Sequence, residues 1–404
     1  MGRDLNGMRF STLAVHGGIQ QDPVTGAIGP NIATSTNFAA EYGTVGFSAE
    51  GTVEEAVPFA YAREGHPNAA ELEHKLALLE GAPAAVVFST GIAAISGLIL
   101  QLLEPGDHLL VSDISYAGTA EFTRGFLRRK GISVTVADMS DLDDVKAALR
   151  PGTRLVYAET PCNPVLKLAD IAELAQLAHE HGAKLCIDGT FATPAVTRPL
   201  ELGADFVVYS LTKYMGGHGD ALGGAVLGDA EAIDRLRREV GVHLGATLSA
   251  FNCWLILRGL ETLPIRMAAY ARAASQVARF LDGHPRVTWV RYPGLPSHPQ
   301  HELAQRQMSS PSGMIAFDVT DHDRFGRSLK DQLKIFHFAA SLGLSRSLIL
   351  DVNTADLQHT TFQLDDEHLR RYRHWAGDAF FRLSIGLEDP HDLTTDLDRA
   401  LSVL

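Results

Sequence analysis

Short apolar runs alternate with amphipathic segments of helical period through the middle of the chain. Seven of these runs have the length and β-branched content of buried strands, and in chain order they are AAVVFS, HLLVSD, SVTVAD, RLVYAET, KLCIDGT, DFVVYS and GGAVLG. Segments with a helical pattern lie between them, such as DLDDVKAALR and IAELAQLAHEHG. The alternation, between about residues 84 and 228, predicts an α/β fold with a mostly parallel seven-stranded sheet flanked by helices.

The two ends of the chain have different patterns. The N-terminal part contains Gly/Pro-rich stretches with little periodicity, GGIQQDPVTGAIGP and EYGTVGFSAEGTVEEAVP, which predict an extended arm. Beyond the α/β region, a long helical stretch precedes further strand signals in VTWVRYP, SGMIAFDV and FFRLSIG. We therefore expect an arm over residues 1–62, an α/β domain over 63–260 and a smaller C-terminal α+β domain over 261–404.

Composition narrows the classes of partner. The net charge is −13 and no Lys/Arg-rich block occurs, which argues against nucleic acid and anionic membrane surfaces. The start of the chain lacks an apolar signal core, and no uninterrupted apolar run reaches the roughly 18 residues of a membrane span. Three widely spaced cysteines, Cys162, Cys186 and Cys253, indicate a reducing compartment. A soluble, cytoplasmic protein with small ligands is expected.

Three of the predicted strands end in polar groups, at the edge where parallel sheets bind ligands. AAVVFS runs into STGIAAI, where Ser89, Thr90 and Gly91 precede an apolar helix whose free N–H groups would face an anion, although an ordinary helix cap is the commoner meaning of this motif. In KLCIDGT, Asp188 lies at the end of the apolar strand. Lys213 follows DFVVYS, with the hydroxyl groups of Ser210 and Thr212 beside it. A buried lysine has a lowered pKa, and its neutral amine is a nucleophile for an aldehyde.

This combination matches the needs of pyridoxal 5′-phosphate. That cofactor takes a lysine for its Schiff base, an acid for its ring nitrogen and an anion site for its phosphate. A nucleotide-binding domain fits less well, because no GxxxxGK[ST] occurs and the third glycine of a GxGxxG match in GHGDALGG falls on Leu222. The histidine-rich pieces HEHG and HPQH lack HExxH spacing, so no metal site is predicted.

The chain resembles the Cys/Met-metabolism (trans-sulfuration) family of pyridoxal-phosphate enzymes, of fold type I. The resemblance extends from STLAVHGG near the start to RLSIGLED near the end, and YSLTKYMGGHGD matches the segment of the Schiff-base lysine. It implies two catalytic residues, Lys213 and Tyr116, the tyrosine stacking on the cofactor ring. The cofactor residues that it implies are Lys213, Asp188, Ser210, Thr212, Gly91, Ile92 and Tyr116, together with Tyr61 and Arg63, which would reach the neighbouring subunit. For the amino-acid substrate it implies Asn163 in ETPCNP, Ser341 in SLG and Arg382 in RLSIG.

The activity that the resemblance implies is a lyase reaction. The expected reaction is γ-elimination on a γ-substituted L-amino acid, as in methionine γ-lyase, and the expected assembly is a homotetramer of two dimers with shared active sites. Three alternatives stay open: a γ-replacement synthase that uses an activated homoserine ester or a cystathionine-type substrate, a γ-lyase for an O-linked substrate such as canavanine, and a non-catalytic relative. A β-lyase or an aminotransferase is less expected.

The chain departs from the family pattern near the expected substrate site. Ala340 precedes SLG where cystathionine enzymes carry Glu, and Gly118 stands where methionine γ-lyases carry Cys. His243, after Val242, lies where those lyases have a Lys-Asp pair, and Arg346 replaces an acidic residue. Gly189 replaces the asparagine of a common DNT. The sequence leaves the roles of Arg346, His243 and Gly189 open.

Overall fold

The computed structural model describes residues 5, 7–19, 21–40 and 59–404 of the 404-residue chain. Its large sheet contains β1 Ala84–Phe88, β2 His108–Ser112, β3 Ser133–Ala137, β4 Thr153–Glu159, β5 Lys184–Asp188, β6 Phe206–Tyr209 and β7 Gly224–Gly228. The strand order is β1-β7-β6-β5-β4-β2-β3. All neighbours are parallel except β7, which is antiparallel to both β1 and β6. The predicted mostly parallel, seven-stranded sheet is confirmed.

A second, smaller sheet follows in the chain. Its strands are β8 Val287–Arg291, β9 Met314–Val319, β10 His337–Phe338, β11 Leu348–Asn353 and β12 Ala379–Ser384, in the order β10-β11-β12-β9-β8. Strands β8, β9 and β12 lie where the sequence predicts them. The sequence pattern does not predict β10 and β11, because β10 has two residues and the pattern of β11, LILDVN, mixes buried and exposed positions.

Helices cover both faces of the large sheet and one side of the small one. They are α1 Phe10–His16, α2 Pro67–Glu80, α3 Gly91–Leu102, α4 Ala117–Glu121, α5 Leu142–Ala148, α6 Ile171–Glu180, α7 Ala230–Leu236, α8 Ala250–Glu261, α9 Leu263–Asp282, α10 His301–Gln307, α11 His322–Gln332, α12 Thr354–Leu357, α13 Asp366–Ala376 and α14 Pro390–Leu401. Polar caps define many of their starts; the side chains of Thr90, Asp170 and Ser249, for example, accept first-turn N–H groups. No helix in the described ranges is long and apolar enough to cross a membrane.

The arm is only partly described. Helix α1 packs its buried Leu13 and Ala14 against the body of the same chain, and the Nζ of Lys75 donates to the carbonyl of Ala14 at 2.8 Å. The stretch EYGTVGFSAEGTVEEAVP, which the sequence assigns to the arm, lies outside the described residues. The proposed domain limits at residues 62 and 260 stay predictions.

A buried carboxylate fixes the chain segment that precedes β10 of the small sheet. Asp396 on α14 is 1% exposed and accepts the backbone N–H groups of Lys334, Ile335 and Phe336 at 2.9, 2.9 and 3.2 Å. These charge-assisted bonds fix the backbone of the segment that leads into β10. Asp396 is therefore an example of an acid with a structural role.

Candidate active site at the carboxyl edge of the large sheet

The strands β4, β5 and β6 are parallel neighbours and end at the same edge of the sheet. Glu159 and Asp188 are the last residues of β4 and β5 and lie opposite each other in the register. The segment from Ser210 to Lys213 follows directly after β6. Adjacent parallel strands thus bring two carboxylates and a lysine to one place, where a cavity of about 260 Å³ opens. Its lining includes eight predicted site residues: Gly91, Ile92, Tyr116, Asn163, Asp188, Ser210, Thr212 and Lys213.

Lys213 is held in a mostly buried position at the bottom of this cavity. Its Nζ donates to the Oγ of Ser341 at 2.8 Å. Burial, and then the positive charge of Arg382, lowers the pKa of Lys213. Because that shift increases the neutral fraction of the amine, Lys213 is suited to bond to an aldehyde and to accept a proton.

The turn after Lys213 is fixed from two sides. Arg266, 5% exposed, donates to the carbonyls of Tyr214 and Met215 at 2.6 and 3.3 Å. On the other side, Gly343 has a φ of +77°, and a Cβ there would lie 2.5 Å from the backbone nitrogen of Tyr214. Only glycine permits this close approach, which positions the lysine against the segment of Ser341.

The carboxylate end of the cavity is desolvated. Asp188 accepts the hydroxyl of Tyr157 at 3.2 Å and the N–H of Thr190 at 3.0 Å. Burial raises the pKa of Asp188, and burial together with Asp188 raises the pKa of Glu159. Two buried carboxylates this close are costly unless a cation compensates them. A protonated ring nitrogen beside Asp188 would supply that charge.

The start of α3 offers an anion site on the same cavity. Thr90 caps the helix, and the first-turn N–H groups at Gly91 and Ile92 lack intrahelical partners. A Cβ at Gly91 would lie 2.8 Å from the Oγ of Ser210, so glycine allows these two elements to meet. The Thr212 hydroxyl contacts the backbone of Gly223, at 3.2 Å from its oxygen and 3.1 Å from its nitrogen. The donors, the helix end and the lysine fit pyridoxal phosphate.

A second cavity of about 450 Å³, called here the outer cavity, adjoins the first and shares Tyr116, Asn163, Lys213 and Leu342 with its lining. Arg382 on β12 lines it and is only 6% exposed. Its guanidinium donates to the side-chain oxygen of Asn163 and, at 3.0 Å, to the carbonyl of Ser341. Its buried Nε has no partner among the described residues. Burial lowers the pKa of Arg382 to about 10, so it remains charged at neutral pH. Such a group is ready to bind a substrate carboxylate.

Tyr61 and Arg63 lie away from both cavities of their own chain. Arg63 donates to the carbonyl of Val242 at 3.0 Å and lies over the ring of Tyr61, with its guanidinium carbon 5.5 Å from the ring centre. Tyr61 is about half-exposed. Their role toward a neighbouring subunit stays a prediction.

Sequence reasoning missed Glu159. Glu159 is the last residue of β4, as Asp188 is the last residue of β5. Its position at the end of the apolar run in RLVYAET could therefore have indicated a site residue. Both of its carboxylate oxygens accept backbone N–H groups, one from Tyr116 and one from Asn163, each at 2.7 Å. Thr190 and Tyr157, which bond to Asp188, were missed as well.

Two glycine departures have steric explanations. A Cβ at Gly189 would lie 2.8 Å from the ring of Tyr209, which is buried and donates to Glu80 at 2.6 Å. A Cβ at Gly118 would lie 2.5 Å from the ring of Tyr116. Glycine at these positions makes room for the two tyrosines.

The other departures differ in their relation to the site. Ala340 lines the outer cavity, whereas Arg346 is exposed and lines neither cavity. Val242 is buried and His243 exposed in a π-helical turn, Arg237–His243, close to Arg63. The structure gives no role to Arg346.

Comparison with known proteins agrees with this geometry. The family model described as "Cys/Met metabolism PLP-dependent enzyme" matches residues 11–402. The chain belongs to the Cys/Met-metabolism family of PLP-dependent enzymes. Family membership confirms the expected cofactor, pyridoxal 5′-phosphate, and the expected enzymatic character.

Relatives in the Cys/Met-metabolism family match over the full length. The canavanine γ-lyase of Pseudomonas canavaninivorans is 42% identical over 99% of this chain and 98% of its own. The L-methionine γ-lyase of Porphyromonas gingivalis is 41% identical over 99% of both chains. The cystathionine γ-synthase of Mycobacterium leprae is 40% identical over 97% of both. The crystal structure of metB from Corynebacterium glutamicum has a TM-score of 0.88 at 35% identity, covering 99% of this chain and 100% of that one, which confirms fold type I.

Gly189→Ala should destabilise the protein by about 1–3 kcal/mol, because the added methyl group overlaps the buried ring of Tyr209. Urea unfolding of the purified protein measures the loss. Gly241→Ala is the matched control, since a Cβ there meets nothing within 4 Å. Equal stability of the two variants would contradict the steric explanation of Gly189.

Proposed function

We propose that this enzyme eliminates the γ substituent of an L-amino acid and releases a 2-oxo acid and ammonia. The observation that carries the proposal is the charge pattern of the outer cavity. Its only cationic lining side chains among the described residues are Lys213 and Arg382, both at the inner end. The rest of its lining includes the apolar Leu350, Leu357 and Phe362 and two acids, Asp351 and Asp356.

The inner end positions the amino acid. The α-carboxylate binds the Arg382 guanidinium, whose free Nε and fixed Nη groups hold it in a defined orientation. This places Cα beside the Nζ of Lys213, whose lowered pKa suits it to take the Cα proton. Tyr116, half-exposed where the two cavities meet, donates a proton to the departing group. When bound, pyridoxal phosphate supplies the electron sink for these steps.

The outer acids favour elimination over replacement by an amino-acid nucleophile. An acceptor such as cysteine brings its own carboxylate, which needs a cation, and Arg382 is already occupied by the first substrate. Asp351 and Asp356 would repel the second carboxylate. The same argument disfavours cystathionine, whose distal end is also an amino acid. The γ-replacement activity named for the Mycobacterium leprae relative is therefore the second candidate.

The leaving group can be apolar or cationic. The aliphatic and aromatic lining suits the methylthio group of methionine, the substrate named for the Porphyromonas gingivalis relative. The guanidinooxy group of canavanine, named for the Pseudomonas relative, would gain from an acid. Asp351 already accepts from His322 at 3.0 Å, whereas the Asp356 carboxylate has no partner among the described residues. Asp356 is thus the acid that favours a cationic substrate.

The proposal includes a shared active site in a homo-oligomer. Arg63 and Tyr61 contribute nothing to the cofactor cavity of their own chain, yet the family resemblance assigns them to a phosphate. A second copy that brings them to the start of α3 would complete that site. We extend this to a dimer of dimers, as the resemblance implies.

A cytoplasmic location is also part of the proposal. Cys162, Cys186 and Cys253 are all free and buried, which fits a reducing compartment. Burial raises the pKa of all three thiols, so they have no evident reactive role.

Product analysis by mass spectrometry tests the reaction. The panel contains methionine, canavanine, cystathionine, homocysteine and O-acetylhomoserine, each with and without an added thiol. A 2-oxo acid and ammonia should form from methionine or canavanine without a thiol. A γ-substituted amino acid that appears only with the thiol would make the enzyme a replacement synthase and refute the proposal.

Asp356→Asn should lower kcat/KM for canavanine about threefold to fivefold, as expected for one exposed charge pair, and leave methionine unchanged. Steady-state kinetics on both substrates measures the ratio. Asp323→Asn, on an exposed surface of α11, is the matched control and should change neither value. An unchanged ratio would exclude Asp356 from substrate recognition.

Subunit mixing tests the shared site. Arg63→Ala and Lys213→Ala should each be nearly inactive alone. Mixed after dissociation and reassembly, they should regain about a quarter of the wild-type activity, because about half of randomly formed dimers are mixed and each has one complete site. No recovery in assembled hetero-oligomers would show that Arg63 serves its own chain.

A further inference from the structure

Glu159 has contacts that the proposed reaction does not use. It is 5% exposed, ends β4 and lines the cofactor cavity beside Asp188. Its Oε2 accepts the backbone N–H of Tyr116 and its Oε1 accepts the backbone N–H of Asn163, each at 2.7 Å. One carboxylate therefore joins two separate loops of the site.

The two loops carry side chains with different tasks. The first follows β2 and presents Tyr116, which lines both cavities. The second follows β4 and presents Asn163, whose side-chain oxygen accepts from Arg382. Contacts thus run from Glu159 through the Asn163 backbone to the guanidinium that holds the substrate carboxylate.

An acid at this position carries an electrostatic cost. The Glu159 carboxylate lies opposite Asp188 in the strand register, and burial and Asp188 both disfavour its charge. A neutral acceptor could bond one N–H without that cost. An ionised carboxylate can accept two N–H groups with short, strong bonds, which holds both loops in one geometry.

We propose that Glu159 is a positioning residue that fixes Tyr116 and Asn163, and through Asn163 also Arg382, around the bound cofactor. It acts through these three residues and not by proton transfer. The inference depends on the cofactor, which family membership establishes, and not on which amino acid is the substrate. A failed γ-elimination proposal would therefore leave it standing.

The two conservative substitutions break the arrangement in different ways. In Glu159→Gln, one end of the amide is an NH2 group, so one of the two backbone donors loses its acceptor. In Glu159→Asp, the side chain is one methylene shorter and cannot reach both loops. Both variants should bind the cofactor with a weakened visible circular dichroism, because the tyrosine and the asparagine no longer constrain it.

The experiment compares the holoenzymes of Glu159→Gln, Glu159→Asp and Asp396→Asn. Asp396 is the matched control, a buried carboxylate that also accepts backbone N–H groups but lines neither cavity. Loss of one charge-assisted bond should lower kcat/KM of either Glu159 variant at least tenfold, mostly in kcat, and reduce the dichroism of the bound cofactor. Asp396→Asn should lower the thermal midpoint and leave the dichroism unchanged. Glu159 variants that lose only thermal stability would overturn the proposal.

A double-variant cycle separates positioning from a general defect. If Glu159 acts through Asn163 and Tyr116, Glu159→Gln should lower kcat/KM by a much smaller factor in an Asn163→Ala, Tyr116→Phe background than in the wild type. An equally large loss of kcat/KM in that background would show that Glu159 acts by itself. If Glu159→Gln does not fold, Glu159→Asp carries the same comparison.

Discussion

The site depends on one constraint, the common end of three adjacent parallel strands. Strands β4, β5 and β6 end at one edge of the sheet, so the residues that end or follow them lie close together. Glu159, Asp188 and the segment of Lys213 are brought together by sheet geometry before any cofactor contact is made. Helices on both faces exclude water from this edge, so burial shifts the pKa values of all three groups.

The charges across the two cavities form an ordered pattern. Two carboxylates lie at the cofactor end and the Arg382 guanidinium lies at the substrate end, with the Lys213 amine between them. A cationic ring and an anionic α-carboxylate are each stabilised at one end only, so the charges orient both molecules relative to the lysine. The outer cavity is also lined by apolar side chains and by Asp351 and Asp356, so in the proposed reaction this lining would select the leaving group of the substrate.

The sequence predicted the large sheet because its strands are continuous, nearly fully buried apolar runs. It predicted that Asp188 and Lys213 lie at one edge of the sheet, because parallel strands bring ligand groups together at their carboxyl ends. The roles of the two residues stay predictions. It did not predict β11, whose buried and exposed positions are mixed, and it did not single out Glu159, whose contacts are with the backbone N–H groups of Tyr116 and Asn163. The reason for Gly189 depends on the ring of Tyr209, which lies on a neighbouring strand and leaves no trace in the local sequence.

The central claim is that Lys213 bonds to the cofactor. The other buried lysines already have partners. Lys75 donates to the carbonyl of Ala14, and Lys167 forms a salt bridge with Asp138. The most direct measurement is borohydride reduction of the holoenzyme, which makes the bond between lysine and cofactor permanent, followed by digestion and mass spectrometry of the peptides. The account predicts the added cofactor mass on Lys213. The same mass on Lys75, Lys167 or any other lysine would contradict it.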